Sequence, residues 1–483
     1  MEKDAEIVNK SQKRVLLINV PSRRGKGGIM LPLGLLYAGS IIERSGHSAR
    51  IYDPYLNDEN LIKLENGNFS ELDTILEEYH PDIVGFGGIA SSFGHTHRIS
   101  SYIKRKYPGI LQISGGPLAS VYKLLLTKTN VSLVFHGEAE LTLPVFLERY
   151  CNGLPYTDIA GISTIDPEGE IHRNPLASQI EDLDEIPLPD YKLLDLKAYQ
   201  LKGMPIITSR GCTNRCSFCY RHMKGYRQNS VTYVISHMKF LIEKFGIKQF
   251  AFSDELFNAN KKWVLDFCDQ IEQEKLKISF SVSMRADKVD EVMLKQMKNV
   301  GCSDINYGQE SGSDTILKEY RKGVDAKTNT AITLLTREQG INCPVQIVIG
   351  SPSETPATIL ETTEFIIGLG KGELSINYLI PYPETPIWEY VEKNNLVDDV
   401  EKFLDEVAHW GGSPVLNLTR TPDNVWRTWS FKIKSDVNLA RLKKEGKMLQ
   451  YSWQLVQTKI LIFGYSMLPK KITRIVRDMK MYG

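Results

Sequence analysis

Short β-branched runs recur along this chain in two long series, each interleaved with stretches of helical periodicity. Few folds remain open to such a pattern, because repeated strand–helix–strand units wind into parallel sheets. In the first series, from Arg14 to about Tyr150, the runs are RVLLINV, SARIYDPY, DIVGFGGIA, ILQISGG and VSLVFHGEAE. ELDTILEEYH and HRISSYIKRKY supply helical patterns between them. Five such strands predict an α/β domain with a doubly wound parallel sheet. The second series starts at Met204 with MPIITSRG, KQFAFSD, ISFSVSMRA, DINYGQES, CPVQIVIG and LSINYLIPY. These six βα units predict a partial or full parallel barrel, whose reactive edge lies at the strand C-termini.

Residues 151–200 join the two series. GISTIDPEGEIHRNP reads as a hairpin turning at Pro167-Glu168-Gly169, and the acidic, proline-punctuated IEDLDEIPLPDYKLLDL reads as an ordered strap. From about Asn395 the alternation ends. The expected layout is a sheet domain over 1–150, a hairpin and strap over 151–200, a (β/α)6 barrel over 201–395 and a mainly helical, basic region over 396–483.

Composition narrows the function classes. A formal net charge of +1 on 483 residues argues against a generic polyanion binder, so no nucleic-acid partner is expected. Seven cysteines, scattered apart from one trio, do not look like a disulfide framework and fit a reducing, cytoplasmic compartment. The charged start MEKDAEIVNKSQKR is unlike a signal peptide, and no apolar stretch is long enough to span a bilayer.

The strand ends of the first series are rich in small residues: Gly87-Gly88, Ser91-Ser92, Gly115-Gly116-Pro117 and Gly137. Glycine lets backbone approach a ligand closely, and four such loops on one edge suit a large ligand. Ordinary tight turns are the plainer reading of any one of them. The turn after the first strand, Pro21-Ser22-Arg23-Arg24, lacks the GxGxxG of a dinucleotide site, which disfavours nicotinamide or flavin.

RGCTNRCSFCYRH follows the first strand of the second series and crowds Cys212, Cys216 and Cys219 into eight positions. Metal ligation is the default reading of that spacing. Two sites compete: zinc on three thiolates plus His222, or a 4Fe–4S cluster with three of its irons held. The other cysteines are remote, so a cluster would keep one iron without a protein ligand, the open position that a substrate-activating metal needs; this favours the cluster. Cys302 and Cys343 open predicted strands at the end opposite the loop and read as core thiols.

CxxxCxΦC, with Phe218 as the aromatic, after the first strand of a βα barrel resembles the signature of the radical S-adenosylmethionine (SAM) superfamily. Further stretches resemble that family's motifs in order: FSDELF (Phe252–Phe257), SMRAD (Ser283–Asp287), YGQESGSDTIL (Tyr307–Leu317), VIGSPSET (Val348–Thr355) and LIPYPETP (Leu379–Pro386). The resemblance implies a 4Fe–4S cluster on the three cysteines, with SAM chelated by the free iron and cleaved to a 5′-deoxyadenosyl radical. It places Phe218 and Tyr220 beside the cofactor, and Ser253, Asp254 and Glu255 toward the SAM amino group. Arg285 belongs to the third-strand motif, Glu310 would reach the ribose, and Gly350 and Pro352 would lie beside the adenine. Tyr307, His222 and Tyr382 carry no signal that distinguishes a general base.

The N-terminal α/β domain and its DLDEIPLPD strap resemble the cobalamin-binding branch of the superfamily, which includes the anaerobic chlorophyll-ring cyclases. PLGLLYAGSIIERSGH resembles that branch's first helix. GFGGIASSFGHT, ISGGPLAS and VFHGEAEL resemble its strand-end segments, implying cobalamin contacts at Gly87, Ser91, Gly115, Gly116, Pro117, Gly137 and Glu138. DxHxxG is absent and Leu118 stands where the branch often has His, so no histidine is expected below the cobalt. The implied reaction is methyl transfer to an unactivated carbon through methylcobalamin. Oxidative cyclisation without methyl transfer and a non-catalytic sensor are the alternatives. A small-molecule or lipid-like substrate and a low-potential donor such as flavodoxin or ferredoxin are the implied partners.

Residues 426–483 carry thirteen Lys and Arg against three Asp and Glu. YSWQLVQTKILIFGYSML followed by PKKITRIVRDMK reads first as a terminal helix pair packed on the barrel. The second reading is a surface for the inner face of an anionic membrane.

Overall fold

The computed structural model describes residues 12–22, 30–221, 223, 225–410 and 414–467. They divide into two compact units, one of residues 1–201 and 399–409 and one of residues 202–398 and 410–483.

The first unit is built on a seven-stranded sheet in the order β2-β1-β3-β4-β5-β6-β7. Strands β1 (Arg14–Asn19), β2 (Ser48–Tyr52), β3 (Ile83–Gly87), β4 (Leu111–Gly115) and β5 (Leu133–Phe135) are parallel. β3 is buried at every position, as expected of a central strand covered on both faces. Val15, Leu17, Ile83, Ile113 and Leu133 pack against Ile42 and Phe146 from flanking helices. The order 2-1-3-4-5 puts a topological switch between β1 and β3, where such sheets open a ligand crevice.

The hairpin expected as a joining segment instead extends this sheet. β6 (Ile162–Ile165) pairs antiparallel with β5, and β7 (Ile171–Arg173) pairs with β6. β5 leaves an open edge of unpaired N–H and C=O groups, and the hairpin satisfies it. The strap is fastened to the same unit: Asp190 N–H donates to Ser40 Oγ at 2.7 Å, and the buried Tyr199 hydroxyl donates to Asp53 at 3.0 Å. The helix Val400–Trp410, expected in the C-terminal region, also joins this unit over 399–409. It buries Phe403, Leu404 and Val407, and its Glu401 meets His97 Nδ1 at 3.2 Å.

In the second unit β8 (Met204–Ile206) is followed by an antiparallel pair, β9 (Ser209–Gly211) and β10 (Tyr226–Gln228). β11 (Gln249–Phe252), β12 (Ser279–Ser283) and β13 (Cys302–Asn306) extend a parallel sheet from β8. β14 (Val345–Ile349) and β15 (Leu374–Tyr378) form a parallel pair, tied to the β13 region by bridges Asp304–Asn342 and Glu310–Ile347. Six parallel strands thus follow in chain order, as a four-stranded sheet and a pair linked by those two bridges. Beyond the barrel, Trp426, Trp429 and Ile433 complete the core over β14 and β15. The start of the C-terminal region is therefore integral to this unit.

Candidate active site

The cysteine loop is pinned at its base and at its tip. At the base, β9 and β10 pair Gly211 with Tyr226 and Ser209 with Gln228, and Cys212 follows directly. Asp254, buried at the end of β11, accepts from Thr208 N–H (2.9 Å), Ser209 N–H (2.5 Å) and Ser209 Oγ (2.6 Å). Burial still pushes this carboxyl up, to about 6, against the pull of those donors. At the tip, Ser217 N–H donates to Tyr320 O at 3.0 Å and Ser217 Oγ to Glu319 O at 3.1 Å. Ile387 N–H reaches Ser217 O at 2.9 Å, and the Phe218 ring meets Tyr320 edge-on at 5.1 Å.

The sulfurs lie in an uneven electrostatic field. A hydrogen bond from Cys219 lowers Cys216 most, to about 6; burial and Glu310 oppose this, while Lys322 and Arg285 assist. The same hydrogen bond pushes Cys219 up. Asn214 Nδ2 lies 3.5 Å from Cys212 Sγ. A loop that favours thiolate at Cys216 near two cations has the donor chemistry for a soft metal or an iron–sulfur cluster. The remaining barrel thiols are different: burial pushes Cys268 to about 12, Cys343 to about 11, and Cys302 well up. They are core groups. His222, the fourth ligand of the zinc alternative, lies outside the described residues.

Around the loop, the residues named from sequence divide into two groups. Glu310 is brought in: its φ of 63° is left-handed, and its backbone is stitched to Gln346 O and Val348 N–H. Its carboxylate pairs with Lys322 Nζ at 3.2 Å, both side chains nearly buried. Gly308 admits this arrangement, since a Cβ there would stand 2.5 Å from Glu310 Oε1. Ser253 and Glu255 are exposed at the end of β11, and Tyr220 is half-buried. Asp254 and Arg285 serve the protein itself. Arg285 grips Asp287 at 2.8 and 2.9 Å and donates to the carbonyls of Lys322 (2.6 Å) and Gly323 (3.3 Å). Tyr307 is buried and its hydroxyl lies 2.8 Å from Thr336 Oγ1, which sets it in the core between β13 and a helix.

Sequence reading missed Glu319, Lys322 and Glu354. The Glu319 carboxylate takes the Ser351 hydroxyl and both Ser353 N–H (3.2 Å) and Ser353 Oγ (3.1 Å), so one residue ties the glycine-proline turn to the cysteine loop. Gly350, with φ 101°, donates its N–H to the buried Glu354, whose carboxyl burial pushes up to about 8. Pro352 follows in the same turn, half-buried.

In the first unit, the small residues at the sheet edge also divide. A Cβ on Gly87 would stand 2.5 Å from Leu35 Cδ2, so this glycine is required by helix packing. Gly115 backs onto Phe135. Gly116 (φ 67°) and Gly137 (φ 81°) have nothing within 4 Å of a Cβ position, leaving an open cradle after β4 and β5. Ser91 is buried and Pro117 exposed. Glu138 is turned to the strap, accepting Ile180 N–H at 3.0 Å. His136 Nε2 lies 2.8 Å from Ser163 Oγ, His47 accepts Lys13 N–H at 3.2 Å, and His95 is buried.

The radical SAM superfamily profile matches residues 206–366, from β8 through the helix after β14. An uncharacterized methyltransferase of Pyrococcus horikoshii is 30% identical over 396 residues, 80% of this chain and 84% of that protein. This chain is a radical SAM enzyme. Its relatives by sequence include methyltransferases and cyclases. The anaerobic magnesium-protoporphyrin IX monomethyl ester cyclase of Rubrivivax gelatinosus is 24% identical over 387 residues, 77% of this chain and 68% of that one. Among solved structures, the radical SAM methyltransferase TsrM of Kitasatospora setae, with cobalamin and a 4Fe–4S cluster bound, shares the fold. Its TM-score is 0.66 at 20% identity, covering 80% of this chain and 76% of that one. OxsB with aqua-cobalamin and SAM bound also has a TM-score of 0.66, at 18% identity, covering 97% and 75%.

Proposed function

We propose that this radical SAM enzyme methylates an unactivated carbon of a small-molecule or lipid-like substrate. Cys212, Cys216 and Cys219 would hold a 4Fe–4S cluster, and the edge after β4 and β5 of the first unit would hold cobalamin. When bound, these groups supply one-electron cleavage of SAM and a transferable methyl group. The chain's own residues do the positioning. Ser217 and Asp254 hold the cysteine loop in one conformation, and Lys322 and Arg285 favour the thiolate there. Glu310, fixed by Lys322, offers its carboxylate to a ribose hydroxyl, and the Gly350–Pro352 turn offers backbone to an adenine. Gly116 and Gly137 leave room for a bulky planar ring.

The observation that carries this reading is the thiolate-favouring Cys216 on a doubly pinned loop at the strand edge. The methyltransferase relative at 30% identity supports methyl transfer over cyclisation. The test is anaerobic purification with added iron, sulfide and cobalamin, followed by optical and EPR spectra and turnover with a low-potential donor such as flavodoxin. Methylated product supports the proposal. Deoxyadenosine with an unmethylated product assigns the cyclase or rearrangement chemistry instead. SAM binding without cleavage marks a sensor, and zinc in place of iron overturns the cofactor assignment.

A further inference from the structure

In the last described helix, Met448–Met467, Tyr451, Gln454, Leu455 and Thr458 are the buried or half-buried positions over 448–459. This helix lies on the helix Trp429–Lys444 through hydroxyl and amide pairs: Ser435 with Thr458, both buried, and Asn438 with Gln454. Leu449, Trp453 and Val456 are left outside, 90%, 67% and 52% exposed. Their spacing of i, i+4 and i+7 aligns them on one face. A lone exposed apolar side chain needs no explanation, but an aligned leucine, tryptophan and valine do. The hydrogen-bonded seam lies on the opposite side of the helix and holds the stripe toward solvent.

Charge indicates what covers it. Lys443 and Lys444 precede the stripe and Lys459 follows it, all exposed. Between residues 426 and 483 thirteen cations stand against three acids, whereas the whole chain is balanced to within one charge. An apolar face bearing tryptophan, set among lysines and lying along a helix axis, is the composition of a helix that rests in the interface of an anionic bilayer. It rests there without crossing, since no described helix is long and apolar enough to span a membrane. We infer that the helix Met448–Met467 seats the enzyme on an anionic lipid surface through Leu449, Trp453 and Val456. The inference is independent of which reaction the barrel performs.

Deleting the region would remove Trp426 and Trp429 from the barrel core, so point variants are the appropriate probe. The full-length holoprotein is floated on density gradients with vesicles of phosphatidylglycerol and phosphatidylcholine, and with phosphatidylcholine alone. Wild type is expected to float with the anionic vesicles, less so in high salt, and to stay down with the neutral ones. The triple variant Leu449→Gln/Trp453→Gln/Val456→Gln is expected to lose roughly tenfold or more in vesicle affinity. Its iron content and thermal midpoint should be unchanged, because none of the three lies in the packed seam. Wild type that does not float, or a triple variant that floats as well, overturns the inference. A lipid-free dimer that the triple variant converts to monomer also overturns it, assigning the stripe to a second copy.

Discussion

Ser217 and Glu319 are bonded across 102 residues of chain: the serine hydroxyl donates to the Glu319 carbonyl at 3.1 Å, while the Glu319 carboxylate holds Ser351 and Ser353. The cysteine loop and the turn expected beside the adenine therefore share one support. Glu319→Ala leaves Ser351 and Ser353 without their acceptor, at a cost of about 1–3 kcal/mol. The expected result is a lower denaturation midpoint together with weaker SAM binding. Iron content should fall less, because the carbonyl of residue 319 still receives Ser217. Isothermal titration with SAM and iron assay on the same sample check this.

Lys322 serves both Glu310 and Cys216. A nearly buried ion pair that loses one partner leaves a charge uncompensated, so Lys322→Met is expected to destabilise by about 3–5 kcal/mol. Lys322→Met/Glu310→Leu should recover part of that loss, because no charge is left unpaired. Cation removal also raises the Cys216 pKa from about 6. In metal-free protein, the iodoacetamide alkylation profile of Cys216 should shift to higher pH in Lys322→Met, read by mass spectrometry. An unshifted profile would show that the lysine does not act on the sulfur.

Gly87 and Gly116 should lose stability to alanine for different reasons and by different amounts. At Gly87 the new methyl group meets Leu35 Cδ2 at 2.5 Å, and overpacking of this kind costs about 1–3 kcal/mol. At Gly116 the space is open and only the left-handed φ of 67° resists, for about 1 kcal/mol. Thermal melts should separate the two. Cobalamin retention, measured optically after gel filtration, should drop further for Gly116→Ala than its small loss of stability explains.

Glu354 should make the second unit less stable toward alkaline pH. Its folded pKa, about 8, lies above the ordinary value of 4.5. The folded state therefore keeps a proton that the unfolded state releases, and stability falls as pH rises between those two values. Glu354→Gln carries no ionisable proton there. Its thermal midpoint should stay level from pH 6.5 to 8.5 while that of wild type falls. Parallel slopes for the two proteins would remove Glu354 as the cause.

Much of this protein follows from local sequence alone. The β-branched runs marked six strands after Met204 and five before Tyr150, because periodicity and turn chemistry are written within a few residues; the order 2-1-3-4-5 came only with the sheet. The cysteine trio was legible for the same reason, its members lying within eight positions of one loop. Orientation was not. Asp254 and Arg285 sit in family motifs, but only packing shows their side chains turned onto Thr208, Ser209 and Asp287. The hairpin at 162–173 was read as a strand pair, but its place on the edge of β5 required the sheet. Likewise, the return of residues 399–409 to the first unit and the pairing of Thr458 and Gln454 with Ser435 and Asn438 are decided by which surfaces meet in space. Ser217–Glu319, Lys322–Glu310 and Gly350–Glu354 carry no mark in sequence. A hydrogen bond or ion pair is set by distance in space, and in the first of these the distance closes only when β8 and β13, the two edges of the four-stranded sheet, are in place.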